Sequence, residues 1–310
     1  MRLLSVAVLL LEMCAVSAQD YPNKPIRFVT TTTGSTSELI ARVIGPGISG
    51  PLGQPVIVEN RGAGVIPTEA VIKAPPDGYV FLVQTSAVWI SPFFEKVPYD
   101  PVKDLAPVAS LARAPAILVV HPALPVWSVK DLMALAKAKP GALSNSAGAN
   151  GSIPHLAGEL FKSLAGVNIV RIPYASNATE RADQISGEVQ LSFGSPGNIG
   201  ALVRSGRLRA LAVTTPQQSA LFPELPTMAA TLPGYDVSSI YAMWAPAKTP
   251  DSAIKRVNLE IVRFLGRADA KDKFMGSGLE TVGSSPEELA AAIRTDMSRL
   301  GRLFKDVALR

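Results

Sequence analysis

Apolar positions along the chain fall into two recurring kinds of segment. Short β-branched runs lie at Ile26 to Thr30, Val56 to Val58, Tyr79 to Val83, Ile117 to Val120, Ile169 to Ile172, Val189 to Phe193, Leu208 to Val213 and Ser239 to Trp244. Longer stretches with apolar side chains at helical spacing lie at Glu38 to Ile48, Thr68 to Lys73, Val129 to Lys139, Leu156 to Leu164, Thr179 to Ser186, Ile199 to Arg204, Ser252 to Leu265, Ala268 to Met275 and Pro286 to Lys305. The two kinds alternate across short loops, which predicts α/β layers. Helix starts are marked. Ser128 precedes Val129-Lys130-Asp131, Ser285 precedes Pro286-Glu287-Glu288, and Pro250-Asp251 opens the helix carrying Val257 and Ile261. There is no long linker and no repeat of fixed period.

The polar loops between these segments hold the candidate chemistry. Ser144 to His155, SNSAGANGSIPH, reads as a strand end, a tight glycine-rich loop and a helix start at Ser152-Ile153-Pro154. Loop amides and unpaired helix N–H groups there can converge on an anion without a lysine. An ordinary strand-to-helix turn is equally compatible with these residues alone. Thr30 to Glu38, TTTTGSTSE, is a second such loop, with Ser35, Thr36 and Ser37 as candidate caps. Thr85-Ser86-Ala87, the segment after Pro173 with Tyr174, and Gly194-Ser195-Pro196-Gly197-Asn198 also follow strands. Open α/β sheets bind ligands beyond the carboxyl ends of their strands, so all these loops are candidates for one cleft.

Composition bounds the remaining possibilities. The chain has 310 residues, 47% hydrophobic and 18% charged, which suits one or two domains with a real core. Arg2, the apolar run after it and small residues at Val16, Ser17 and Ala18 predict a secretory signal over residues 1–18, cleaved before Gln19. Glu12 interrupts that run. Cys14 is the only cysteine and falls inside it, so the mature chain is expected to have no disulfide and no thiol chemistry. The formal net charge of +5 is compatible with an anionic ligand. No basic run interleaved with aromatics suggests nucleic acid. His121 and His155, the two histidines, sit in no spaced ligand cluster, and no P-loop or G-x-S-x-G elbow is present. No catalytic residue, metal or cofactor is expected.

Several motifs, in order along the mature chain, resemble the Bug family of periplasmic solute-binding proteins associated with tripartite tricarboxylate transporters. They include Tyr21 to Arg27, Leu52 to Arg61, Pro76-Asp77-Gly78-Tyr79 and Val97 to Pro101. Ser146-Ala147-Gly148 with Gly151-Ser152 and Pro154 to Phe161 are among the most specific; Leu208 to Thr214 and Leu232 to Tyr235 continue the match. The resemblance implies a two-lobed periplasmic binding protein of the type II kind, each lobe a mixed sheet flanked by helices. Lobe 1 is expected from residues 19–120 and 245–310, and lobe 2 from 121–244, with the strands ending at His121-Pro122 and Ala245-Pro246 side by side at the hinge.

It further implies a small organic carboxylate held in the cleft and handed to inner-membrane transporter subunits by a monomeric periplasmic receptor. A ligand sensor presenting its closed form to a membrane signalling protein is the alternative. The expected binding set is Thr31, Thr32, Thr33, Gly34, Ser35 and Thr36 from one loop and Ser146, Ala147, Gly148, Asn150, Gly151 and Ser152 from the other. Thr85, Ser86, Tyr174 and Gly194 complete it. The sequence departs from the family pattern at three of these places. The first loop lacks prolines and paired glycines, Ala175-Ser176 replaces lysine-glycine after the tyrosine, and Gly194 stands where an aspartate often meets a ligand amino group. The last change argues against an amino acid and leaves room or apolar space. Replacing Gly148 or Gly151 with valine is expected to weaken ligand binding far more than folding; equal losses in calorimetric affinity and urea midpoint would make the loop purely structural.

Overall fold

The computed structural model describes residues 21–62, 64–147, 152–174 and 177–308. The expected signal segment lies outside them, and no helix among the described residues is long and apolar enough to cross a membrane. Period-two alternation sorts the strand side chains between layers. In β3 (Val80–Thr85), Val80 and Leu82 enter one apolar cluster while Phe81 and Val83 enter another on the opposite face. In β5 (Ile117–Val120), Leu118 and Val120 join the first cluster, and Ile117 and Val119 a third. Strands buried on both faces read as continuous apolar runs, which is why both are plain in the sequence.

Two mixed sheets result. The first has the order β11 (Glu280–Thr281), β4 (Leu105–Pro115), β10 (Ser238–Pro246), β3, β1 (Ile26–Thr30), β2 (Val56–Asn60). The second runs β7 (Val170–Pro173), β6 (Ser144–Ala147), β8 (Leu191–Gly194), β5, β9 (Arg209–Val213). Each contains parallel strands, β2-β1-β3 and β7-β6-β8, beside antiparallel ones. Helices cover the faces. α1 (Thr36–Leu52) and α2 (Ile66–Ile72) follow β1 and β2, and a short α3 (Ala87–Ile90) follows β3. The second sheet carries α4 (Val129–Ala138), α5 (Ile153–Ala165), α6 (Asn177–Ser186) and α7 (Pro196–Arg204). α8 (Asp251–Leu265), α9 (Ala268–Gly276) and α10 (Pro286–Ala308) return to the first. Ile40, Ile44 and Ile48 of α1 pack with Val257, Ile261 and Phe264 of α8. A Cβ on Gly47 would lie 2.2 Å from the Phe264 ring, so glycine is what lets these helices approach.

Strand pairing divides the chain between the two sheets at residues other than the expected lobe boundaries. Pro115 pairs with Ser238 in the first sheet, whereas Ile117 pairs with Gly194 and Val213 in the second. The chain therefore changes sheet at Ala116, so residues 117–120 belong with the second sheet and 238–244 with the first. The strands ending at His121 and Pro246 do not lie side by side. Leu105–Pro115 and Glu280–Thr281 are strands that the sequence pattern does not give. The former is rich in alanine, carries Pro107 inside its ladder, and has two register shifts against β10; the latter is only two residues long.

The two sheets share one core. A single cluster runs from Val29, Leu82 and Trp89 through Trp244 to Leu118, Leu156, Phe161 and Phe193. The Trp89 and Trp244 rings are 5.8 Å apart, and Phe193 stacks on Tyr235 at 6.5 Å. The fully buried Tyr235 donates its hydroxyl to the Ala157 carbonyl at 2.8 Å, satisfying a polar group that burial would otherwise strand. Where the chain passes between sheets, Thr214 joins both passages. Its fully buried hydroxyl accepts from the Ala116 N–H at 2.9 Å and donates to the Ala116 carbonyl at 3.0 Å. Its own N–H donates to that carbonyl, and its carbonyl accepts from Val237 N–H at 3.1 Å. Thr214→Val keeps the side-chain shape and leaves the Ala116 N–H without its acceptor. It is expected to cost about 1–3 kcal/mol in urea unfolding, with Thr214→Ser recovering most of the loss; an unchanged midpoint in the valine variant would contradict this role.

Candidate functional site

A cavity of about 520 Å³ opens between the two sheets. Its floor is the crossing, with Ala114, Pro115 and Ala116 on one passage and Ser239 and Tyr241 on β10. Three helices begin on its walls. Thr36 is the first residue of α1; Ser152, Ile153 and Pro154 open α5; Ser195 to Asn198 open α7. α5 and α7 share a construction: an extended serine cap whose side chain makes no capping bond, then a proline in the first turn. Proline presets the helical φ where an N–H has no intrahelical partner. The Ser152 hydroxyl is buried and has no partner among the described residues. The amides of Ile153 and Gly197 have no backbone acceptor among them either. The uncapped α5 and α7 starts present partial positive charge to the cavity.

α6 contributes the charged side chains that the sequence reading missed. Glu180, Arg181 and Gln184 all line the cavity. Arg181 is its one cation and has no ion pair or hydrogen bond among the described residues. Glu180 and Gln184, one helical turn apart, share a face. That spacing was the available signal, but only the fold brings the face against β6. Tyr241 is a further omission. It lines the cavity together with Thr36, and burial raises its pKa.

The expected binding residues divide. Thr36, Ser152 and Gly194 line the cavity. Thr31 to Ser35 do not, because that loop is tied up internally. Thr31 Oγ1 donates to Ser35 Oγ at 2.7 Å, and Ser35 Oγ caps α1 by accepting the Glu38 N–H at 3.1 Å. Gly34, at φ +81°, turns its N–H onto Glu38 Oε2 at 2.5 Å. The Arg42 guanidinium, and next the Gly34 N–H, hold the Glu38 carboxyl below the usual carboxylate range. Thr32 and Thr33 face solvent. A carboxylate of the chain's own therefore occupies this helix terminus.

Thr85 and Ser86 also lie off the cavity wall. Thr85 Oγ1 accepts the Ala87 N–H at 3.2 Å, and buried Ser86 donates its N–H to the Ile240 carbonyl at 2.7 Å. Ser146 and Ala147 are fully buried in β6, behind the wall. Tyr174 donates its hydroxyl to Asp183 at 2.7 Å, and burial followed by that bond pushes its pKa up to about 12. Gly148, Asn150 and Gly151 lie outside the described residues. Of the room or apolar space expected beside Gly194, the position next to it is taken by an apolar side chain: a Cβ there would lie 2.4 Å from Ile199 Cγ2.

Two α/β sheets joined by paired crossings, with helix starts facing a cavity between them, define a two-lobed solute-binding receptor. The pattern of the tripartite tricarboxylate transporter family receptor, TctC, matches residues 40–309, and the chain belongs to this family. It is 33% identical over 299 residues to the protein BugT of Bordetella pertussis, covering 94% of this chain and 91% of BugT. It is similar to the solved R. palustris protein Rpa4515 with adipate, at 33% identity and TM-score 0.74, over 92% of this chain and 98% of that one. A TctC solute-binding protein from Polaromonas, solved with no ligand, shares the fold at TM-score 0.83 and 22% identity, over 92% of this chain and 99% of that one. The family is one of solute receptors rather than enzymes.

His155 lies in the first turn of α5, its buried ring edge-on to Phe94 at 5.6 Å. Burial, and secondarily the Arg171 charge, push its pKa down from 6.5 to about 4. The unfolded chain thus takes up this proton before the folded one. The stability His155 contributes is complete above about pH 6.5 and is lost as pH falls toward 4. Unfolding free energy is expected to fall by roughly 1–2 kcal/mol between pH 7 and pH 5 from this group. His155→Phe should flatten that part of the profile in urea titrations at the two pH values.

Proposed function

We propose that this chain is a periplasmic receptor that captures a small organic carboxylate in the cavity between its sheets and delivers it to the membrane subunits of a tripartite tricarboxylate-type secondary transporter. The single observation that carries this reading is the convergence of the uncapped α5 and α7 starts and Arg181 on one interlobe cavity. Helix N-termini and a lone guanidinium suit a carboxylate, and they hold it without enclosing it in fixed ion pairs. Membership of the TctC family and the likeness to a protein solved with adipate support the ligand class. The signal-like residues 1–18 support export, with cleavage before Gln19; on this reading the mature protein acts as a monomer. On this reading the lobes are residues up to 115 with 238–308, and 117–213, and they close about Ala116, Thr214 and Val237.

Thermal unfolding with malonate, succinate, glutarate, adipate and pimelate tests the ligand class. A bound acid at a hundredfold excess over its Kd is expected to stabilise the protein by about 3 kcal/mol by mass action. Arg181→Ala is expected to weaken the best acid by about 10- to 100-fold, the usual size of a lost charged hydrogen bond. Failure of every carboxylate to stabilise the protein would overturn the reading.

A further inference from the structure

The cavity also holds an anion, and the way it is fixed restricts what the ligand can be. Glu180 Oε1 accepts from Ser146 Oγ at 2.8 Å and from Gln184 Nε2 at 3.1 Å. Gln184 Nε2 also reaches Ser146 Oγ at 2.9 Å, which closes a triangle. Ser146 is fully buried and Gln184 is 6% exposed, so the carboxylate is anchored from inside the fold. One oxygen is thereby filled. The other, Oε2, has no partner among the described residues, and Glu180 lines the cavity beside Arg181. Ser146 is thus a positioning residue for Glu180, in place of the ligand contact expected from sequence.

A ligand carboxylate drawn to the helix starts and Arg181 meets this fixed negative charge nearby. A bare aliphatic diacid places acceptors or C–H groups against Oε2, which leaves the acceptor unpaired and adds like-charge repulsion. A hydroxyl or ammonium group on the ligand reverses both effects. Glu180 is the one acid among the described residues that line the cavity. We propose that Glu180 selects carboxylates that carry a hydrogen-bond donor, a hydroxyl or an ammonium group, on the carbon skeleton. This rests on the carboxylate reading of the cavity and narrows its ligand class.

Calorimetric titration of adipate, 2-hydroxyadipate and 2-aminoadipate, and of succinate, malate and aspartate, tests it in the wild type, Glu180→Gln and Glu180→Ala. The wild type is expected to bind the donor-bearing members at least tenfold more tightly than the parent diacid. Glu180→Ala is expected to bring each set within about threefold, chiefly by improving the parent. Glu180→Gln, which keeps an acceptor and the shape, is expected to retain the hydroxyl preference and lose the ammonium preference. Binding of diacids without preference in the wild type, or a preference surviving in Glu180→Ala, would overturn the role of Glu180 while leaving carboxylate binding in place. Absence of binding by all six acids would overturn both.

Discussion

Everything else in this molecule depends on the passage between the two sheets at Ala116 and Thr214. The first passage is a single residue, and the return leaves one sheet at Val213 and joins the other at Ser238; a backbone group exposed at either point would have no ladder to join. The Thr214 hydroxyl, acting at once as acceptor and donor to Ala116, gives this segment partners that neither sheet supplies. The cavity floor is built on Ala116 and the residues just before it, Ala114 and Pro115. The separation of the walls, and hence the size of molecule between them, is set by how the chain turns at this point. The shared apolar core behind it, from Val29 to Leu118, keeps the two halves from swinging as unconnected bodies.

The cavity wall shows a division of labour among polar groups that are all of the same chemical kind. The α1 start is largely satisfied from within by Ser35 and Glu38, while the starts of α5 and α7 retain an uncapped serine and open amides. Hydroxyl content therefore does not measure capacity for an anion. What matters is whether a donor already has a partner, and that is settled by neighbours that are four residues away for Gly34 and thirty-four for Ser146.

The fold was legible to the extent that side-chain burial follows the local period. Ile26–Thr30 and Ile117–Val120 read directly because their apolar residues face packed layers on both sides. Leu105–Pro115 was not legible: its alanines and prolines carry no period, and only pairing with β10 makes it a strand. The candidate cavity was partly legible as loops following strands, since Thr36, Ser152 and Gly194 line it. Glu180, Arg181 and Gln184 were not. A polar helix with acids and an arginine reads as a solvated face until β6 is laid against it. Gly194 shows the converse, because a missing side chain in the sequence became an occupied space once Ile199 folded over it.

The order of the first sheet has a consequence for the birth of the protein. Its strands come from residues 26–30 at one end of the chain and 238–246 and 280–281 near the other. β3 gains its neighbour β10 only after more than a hundred and fifty further residues have been made. Pairing over such sequence separations is slow to form. A chain synthesised from its N-terminus thus emerges with that sheet incomplete until nearly all of it is available. The same topology that shapes the cavity between the sheets thus also sets when the molecule can first take its folded form.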